Sequence, residues 1–250
     1  TMAFCTLHFF SEALNREVSV NAFVPQNREG YKTLYLLHGL SDDQTVWQRY
    51  TEVELDAAQA GIAVIMPNGD RSFYTDLSSG DRYFTYISKE LPEMMTRFFR
   101  GISPAREDNY IAGLSMGGYG ALKAALTFPQ RYAAACSLSG ALDIPFMFDT
   151  YKVEGEAFYK SIFGSKEDFV GSTNDLFALL KKDAQNGVKL PEIFLSCGTS
   201  DRILPCSRRF YEECRMFGIP VSYTEAEGNH NWAFWRQQIK PFIRYIGSKT

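Results

Sequence analysis

Histidine is scarce in this chain: among 250 residues there are three, His8, His38 and His230. Cysteine is little commoner. The five, Cys5, Cys136, Cys197, Cys206 and Cys214, are odd in number and form neither a CxxC pair nor a Cys/His grouping with metal-ligand spacing. A disulfide framework and a zinc site are therefore excluded as organising devices, and reduced, mostly buried thiols are expected. Charge of one sign is missing too. Lysine and arginine number 26 against 29 aspartates and glutamates, a net charge of −3 with no basic stripe or acidic block. Nucleic-acid backbones and anionic membrane surfaces lose their main warrant, leaving a small molecule as the expected partner. No apolar run approaches the roughly 18 residues that span a bilayer, and the N-terminus lacks the basic-then-apolar plan of a secretory signal. Thr1 ahead of Met2 reads as a residue added before a native start, so a cytoplasmic protein with no trimmed leader is expected. Repeats, low-complexity tracts and flexible linkers are absent as well, which predicts one domain over 1–250.

What is present is a 45% hydrophobic, 22% charged chain, enough to bury the core of a large α/β domain. Apolar, β-rich runs recur: "EVSVNAFVP", "TLYLLHG", "AVIMPNG", "NYIAGLS", "AAACSLSG", "EIFLSCGTSD" and "VSYTEAEG". Helical patterns lie between them, notably over 117–128, 205–217 and 231–245, the last with Pro241 as a bend. Alternation of this kind predicts a mostly parallel central sheet flanked by crossover helices. "YFTYISKELPEMMTRFF" also reads helical, with a bend expected at Pro92. The stretch 142–190 differs, mixing Phe146, Phe148, Tyr151, Phe158, Tyr159 and Phe163 with glycines and charges and holding no strand run. It reads as a lid-like insertion over the sheet whose aromatics either line a cleft or pack as ordinary helices.

"GLSMG", Gly113 to Gly117, is a G-x-S-x-G element between a strand-like "NYIA" and a helix-forming "GYGALKAAL". Strand, tight turn and helix are the context this motif requires. Glycines either side of Ser115 let strand and helix approach closely and lift the hydroxyl clear of the sheet. Met116 then offers its backbone N–H from the first helical turn, where the unpaired donors and the positive dipole end favour an oxyanion. A serine hydroxyl needs a base, and the base needs an orienting acid, in the chain order Ser, Asp or Glu, His. Only His230 follows Ser115. For the acid, Asp201 stands just beyond a strand-like run on the same edge as the serine turn, although an aspartate there also suits a helix N-cap. Asp175, Asp183 and Glu192 are rivals in order but not in place, whereas Glu225 and Glu227, close to His230 in sequence, are the fallback. An early strand ends in His38-Gly39-Leu40. The Leu40 N–H completes an oxyanion hole with Met116 in this reading, and His38 holds the loop by hydrogen bonding.

Four separated elements, "YLLHGLSDD", "YFTYISKELPEMM", "YIAGLSMGGYGALKAAL" and "CGTSDRI" with "EGNHNWAFW", resemble the esterase D-like family of α/β-hydrolases. That family includes S-formylglutathione hydrolases, tributyrin esterases and feruloyl or acetylxylan esterases. The resemblance implies an α/β-hydrolase fold, a serine esterase with Ser115, Asp201 and His230 as triad, no metal or organic cofactor, and a homo-oligomer, dimer or tetramer. "GNHNWAFW" and "FYTD" are most similar to the tributyrin and carbohydrate esterases. On that likeness Tyr74, Asp76 and Trp232 are expected in the substrate pocket, and Trp47 and Phe146 are expected there beside them. A thioesterase acting on S-formylglutathione, an acyltransferase and a non-catalytic binding protein of the same fold are the alternatives.

Overall fold

A computed structural model describes residues 1–150 and 156–249. Eight strands form one sheet: β1 (Met2–Ser11), β2 (Arg16–Pro25), β3 (Thr33–Leu37), β4 (Ala63–Pro67), β5 (Asn109–Leu114), β6 (Ala134–Leu138), β7 (Glu192–Gly198) and β8 (Val221–Ala226). Their spatial order is β1-β2-β4-β3-β5-β6-β7-β8. From β4 to β8 every pair is parallel, while β2 runs antiparallel to β4 and to β1.

The parallel strands β3 to β6 are buried along their whole length, which is why they read as unbroken apolar runs. The edge strand β1 was not among the expected strands. Its exposed residues, among them Phe4, Thr6, His8 and Phe10, alternate with more buried ones, so half of its side chains carry no core signal.

The helices follow in chain order. The first four are α1 (Val46–Tyr50), α2 (Val53–Ala60), α3 (Tyr83–Thr85) and α4 (Leu91–Phe98), with α5 (Met116–Thr127) after β5. Between β6 and β7 come α6 (Ile144–Thr150), α7 (Glu156–Phe163), α8 (Lys166–Phe169) and α9 (Leu176–Gln185); α10 (Leu204–Met216) and α11 (Trp232–Gly247) complete the set. On one face of the sheet α2 and α11 bury Val53, Ala57, Ile239 and Phe242; on the other, α4, α5, α9 and α10 bury Leu91, Leu122, Leu180 and Phe210.

Pro92 stands in the first turn of α4, and a π-helical turn at Tyr86–Glu90 just ahead of it joins α3 to α4 without a break in helical backbone. Pro241 sits inside α11 without ending it. In 142–190 the aromatics mostly pack inward: Tyr159 and Phe163 are buried, Phe146, Phe148 and Phe158 lean on the same core, and Tyr151 lies outside the described residues.

Strand order positions the site. From β3 the chain crosses outward to β4, then returns past β3 to β5 and continues the other way. Loops leaving the carboxyl ends of β3 and β5 therefore diverge, and the crevice between them is the place where open α/β sheets bind ligands.

Candidate active site

Ser115 follows the last residue of β5 and caps α5 with φ +51° and ψ −114°, a backbone that a residue with a side chain adopts only under strain. Neighbouring groups impose it. A Cβ on Gly113 would lie 2.4 Å from the Gly117 carbonyl, and one on Gly117 would lie 2.6 Å from the Leu37 and His38 carbonyl oxygens. Two hydrogen bonds fasten the turn to the end of β6: Ser115 N–H to the Leu138 carbonyl (2.9 Å) and Ala141 N–H to the Ser115 carbonyl (3.1 Å).

His230 arrives from the loop before α11, whose N-cap is Asn231. Its Nε2 lies 3.1 Å from Ser115 Oγ, and its Nδ1 lies 2.9 Å from Asp201 Oδ2. With Nδ1–H donating to the carboxylate, Nε2 is free to accept the serine proton. The Asp201 side chain is wholly buried and Oδ1 also accepts from the Ile203 N–H at 3.0 Å; the N-cap of α10 is Ile203, with no side-chain capping bond, so Asp201 does not cap the helix. Burial pushes this carboxyl up, but hydrogen bonds from His230 and the Ile203 N–H, with the charge of His230, outweigh it and hold the group below the usual carboxylate range.

The rival acids lie away from His230 in place or in pairing. Glu225 takes a two-point bond from Arg208 at 2.7 Å and another from Tyr223 at 2.6 Å. Asp175 caps α9, Asp183 lies within α9, Glu192 stands at the amino end of β7, and Glu227 is exposed.

A cavity of about 360 Å³ opens over Ser115 and His230. Leu40 lies on its wall, and Met116 starts α5 directly beneath. His38 is buried behind the loop. Its Nδ1–H donates to the Gly39 carbonyl at 2.7 Å and Nε2 accepts the Gly69 N–H at 2.8 Å; burial holds the ring's pKa down and keeps it neutral. Its lining combines the apolar Phe73, Met147, Tyr159 and Ile203 with the polar Ser41, Asp42 and Arg202.

Of the expected pocket residues only Trp232 lines this cavity. Trp47 stands behind it, edge-on at 5.1 Å, with its indole N–H on the Leu37 carbonyl. Tyr74 is fully buried beneath Gly69 and Gly120, its hydroxyl donating to the His38 carbonyl at 3.0 Å. It braces the His38 loop and does not line the cavity. Asp76 is exposed and accepts from the Thr85 N–H and hydroxyl at 2.9 and 2.7 Å, and Phe146 yields its place on the wall to Met147. In "FYTD" it is Phe73 that reaches the cavity; side-chain direction in an irregular loop leaves no periodic signal.

A larger, open groove of about 640 Å³ lies elsewhere, between Met2, Arg28, Asp56 and Arg244, with no histidine or cysteine on its wall. Among the described residues no cluster of three metal-ligating side chains occurs and no helix is long and apolar enough to cross a membrane.

Comparison with known proteins agrees with this geometry. Residues 11–246 match the family described as "Putative esterase". An acetyl esterase of Caldicellulosiruptor saccharolyticus is 32% identical, the match spanning 95% of this chain and 96% of that protein. Two Staphylococcus aureus structures superpose closely. One is the fluorophosphonate-binding serine hydrolase FphF, with a TM-score of 0.91, 30% identity and 98% of each chain covered. The other is the S-formylglutathione hydrolase FrmB, with a TM-score of 0.90, 31% identity and 99% of each covered. A 236-residue family match over a sheet of this order leaves one conclusion: the chain belongs to this esterase family and is a carboxylic ester hydrolase of the α/β-hydrolase fold.

Proposed function

We propose that the protein is a serine carboxylesterase for short-chain acyl esters of aryl or carbohydrate alcohols, acetyl, butyryl or feruloyl in type. The observation that carries this reading is the unbroken hydrogen-bonded line from Ser115 Oγ through His230 to the buried Asp201. His230 Nε2 takes the Ser115 proton as Oγ attacks the ester carbonyl, and the N–H groups of Leu40 and Met116 hold the oxyanion. Asp201 keeps the imidazole oriented and stabilises its cation. His230 then protonates the leaving alcohol, and a water activated by the same ring releases the acid from Ser115. The segment 142–190 acts as a wall over the acyl group through Met147 and Tyr159, and no cofactor takes part. Free thiols, four of the five buried, suit a reducing cytoplasm, and assembly as a homodimer or tetramer belongs to the same reading.

A second reading, hydrolysis of S-formylglutathione, uses the same chemistry on a thioester and draws support from the similarity to FrmB. Comparing kcat/KM on p-nitrophenyl esters of increasing chain length, methyl ferulate, acetylated xylan and S-formylglutathione separates the two. A preference for the thioester above all oxygen esters would overturn the first, and product partitioning toward an added alcohol would indicate acyl transfer.

A further inference from the structure

The first helix of the segment over the cavity is tied down at a buried carboxylate. Asp143, between β6 and α6, has a side chain only 3% exposed, and both of its oxygens are engaged. Oδ1 accepts the Phe146 N–H at 3.1 Å while the Asp143 carbonyl accepts the Met147 N–H at 3.1 Å, the two bonds that start a capped helix. Oδ2 accepts from Arg209 Nη1 on α10. The Arg209 side chain is 61% exposed and its guanidinium lies over the Phe177 ring of α9 at 4.8 Å. One carboxylate thus joins the first turn of α6 to α9 and α10.

That turn bears on the cavity. Ala141 and Met147, on either side of Asp143 in the chain, both line it, as does Ile203 at the start of α10. Ala141 is fastened to the Ser115 carbonyl, so a shift of α6 relative to the serine turn would be taken up beyond it and would carry Met147. Phe148, the next residue of α6, packs on Tyr159 at 5.4 Å, and Tyr159 is a lining residue too. The charge makes the hold conditional. A buried carboxylate beside a guanidinium is stable, but one that has lost its partner is costly to keep from water. Lifting the first turn of α6 outward relieves that cost. Asparagine at 143 keeps the cap and carries no charge, so it creates no such drive.

We propose that Asp143 and Arg209 are a positioning pair that sets how long an acyl chain the cavity accepts, by holding Met147 in its wall. Neither residue lines the cavity and no proton passes through them. The inference rests on the acyl-enzyme reading above, in which Met147 walls the acyl group.

The test measures kcat/KM on p-nitrophenyl acetate, butyrate, hexanoate and octanoate for the full chain as wild type, Arg209→Gln, Asp143→Asn and the double variant. In Arg209→Gln the hexanoate-to-acetate ratio should rise about fivefold, with kcat on the acetate within about twofold of wild type. Asp143→Asn alone should move the ratio less than about twofold, and in the double variant it should bring the raised ratio back to that level, the non-additivity a stranded charge requires. A merely structural role would lower all four esters together. The ratio between ethyl and phenyl acetate, which differ only in the alcohol, should stay at its wild-type value. An unmoved acyl ratio in Arg209→Gln, additive effects in the double variant, or a shift confined to the alcohol pair overturns the proposal. If Arg209→Gln fails to fold, Arg209→Lys, which keeps the charge but loses the planar fork, should raise the ratio about twofold, and no rise overturns it. Full activity in Ser115→Ala would bring down the acyl-enzyme reading itself, a result distinct from an unmoved ratio.

Discussion

Among the ionisable side chains buried in the interior, Asp201 and Lys123 are treated in opposite ways. Asp201, at the end of β7, is surrounded by donors and held below its usual range. Lys123, midway along α5, is equally buried, but its Nζ meets only the neutral Thr75 hydroxyl at 3.1 Å and the Tyr74 carbonyl at 3.4 Å, beneath the Phe84 ring. Burial, only partly offset by the charge of Asp76, pulls its ammonium down to about 7. The difference teaches that depth alone does not decide whether a group stays charged; the number of oriented partners does.

The largest effects should appear at the far end of the Asp201 line. Ser115→Ala removes the atom the line serves and should reduce kcat by about 10⁶-fold, measured on p-nitrophenyl acetate. Asp201→Asn leaves the shape but removes the charge and the correct tautomer, so turnover should fall about 10⁴-fold with KM little changed. Retention of substantial activity in either variant would break the comparison at its functional end.

Lys123→Met tests the other side, with turnover near the wild-type value and a melting temperature raised by a few degrees at pH 7. The sign follows from linkage. Between about 7 and 10.5 the unfolded chain holds a proton on this lysine that the folded chain does not, so wild-type stability rises with pH across that window. The advantage of Lys123→Met should be full below it and vanish above it. A gap independent of pH would mean that Lys123 is not neutralised by folding.

The smallest effect is the acid counterpart. A carboxyl held below 3.8 contributes stability that is present above that value and lost as pH falls through its folded pKa. Urea unfolding below pH 4 should therefore weaken the wild type more steeply than Asp201→Asn. Equal slopes would show that the ring of donors around Asp201 adds nothing to folding.

Much of this was legible in the chain itself, for unequal reasons. The triad candidates emerged because chain order left one histidine and a few carboxylates, and elimination works when a residue type is rare. Buried parallel strands announced themselves by composition, whereas β1, half-exposed, did not. The pocket wall was read poorly. Trp47, Tyr74, Asp76 and Phe146 were expected there, but which of two adjacent loop side chains faces a cavity depends on backbone turns such as the positive φ values of Phe73 and Tyr74.

The cysteines acquire a use from the same layout. Cys5 lies half-exposed on the edge strand β1, while Cys136, Cys197, Cys206 and Cys214 are buried on β6, β7 and α10, with burial raising all four thiols. A thiol reagent would thus find one fast address on the edge strand and four slow ones on β6, β7 and α10. The rate at which those four yield is a stopwatch for opening of the half of the sheet that carries the aspartate. It needs no introduced label, and it would report loosening there even in variants too inactive to assay.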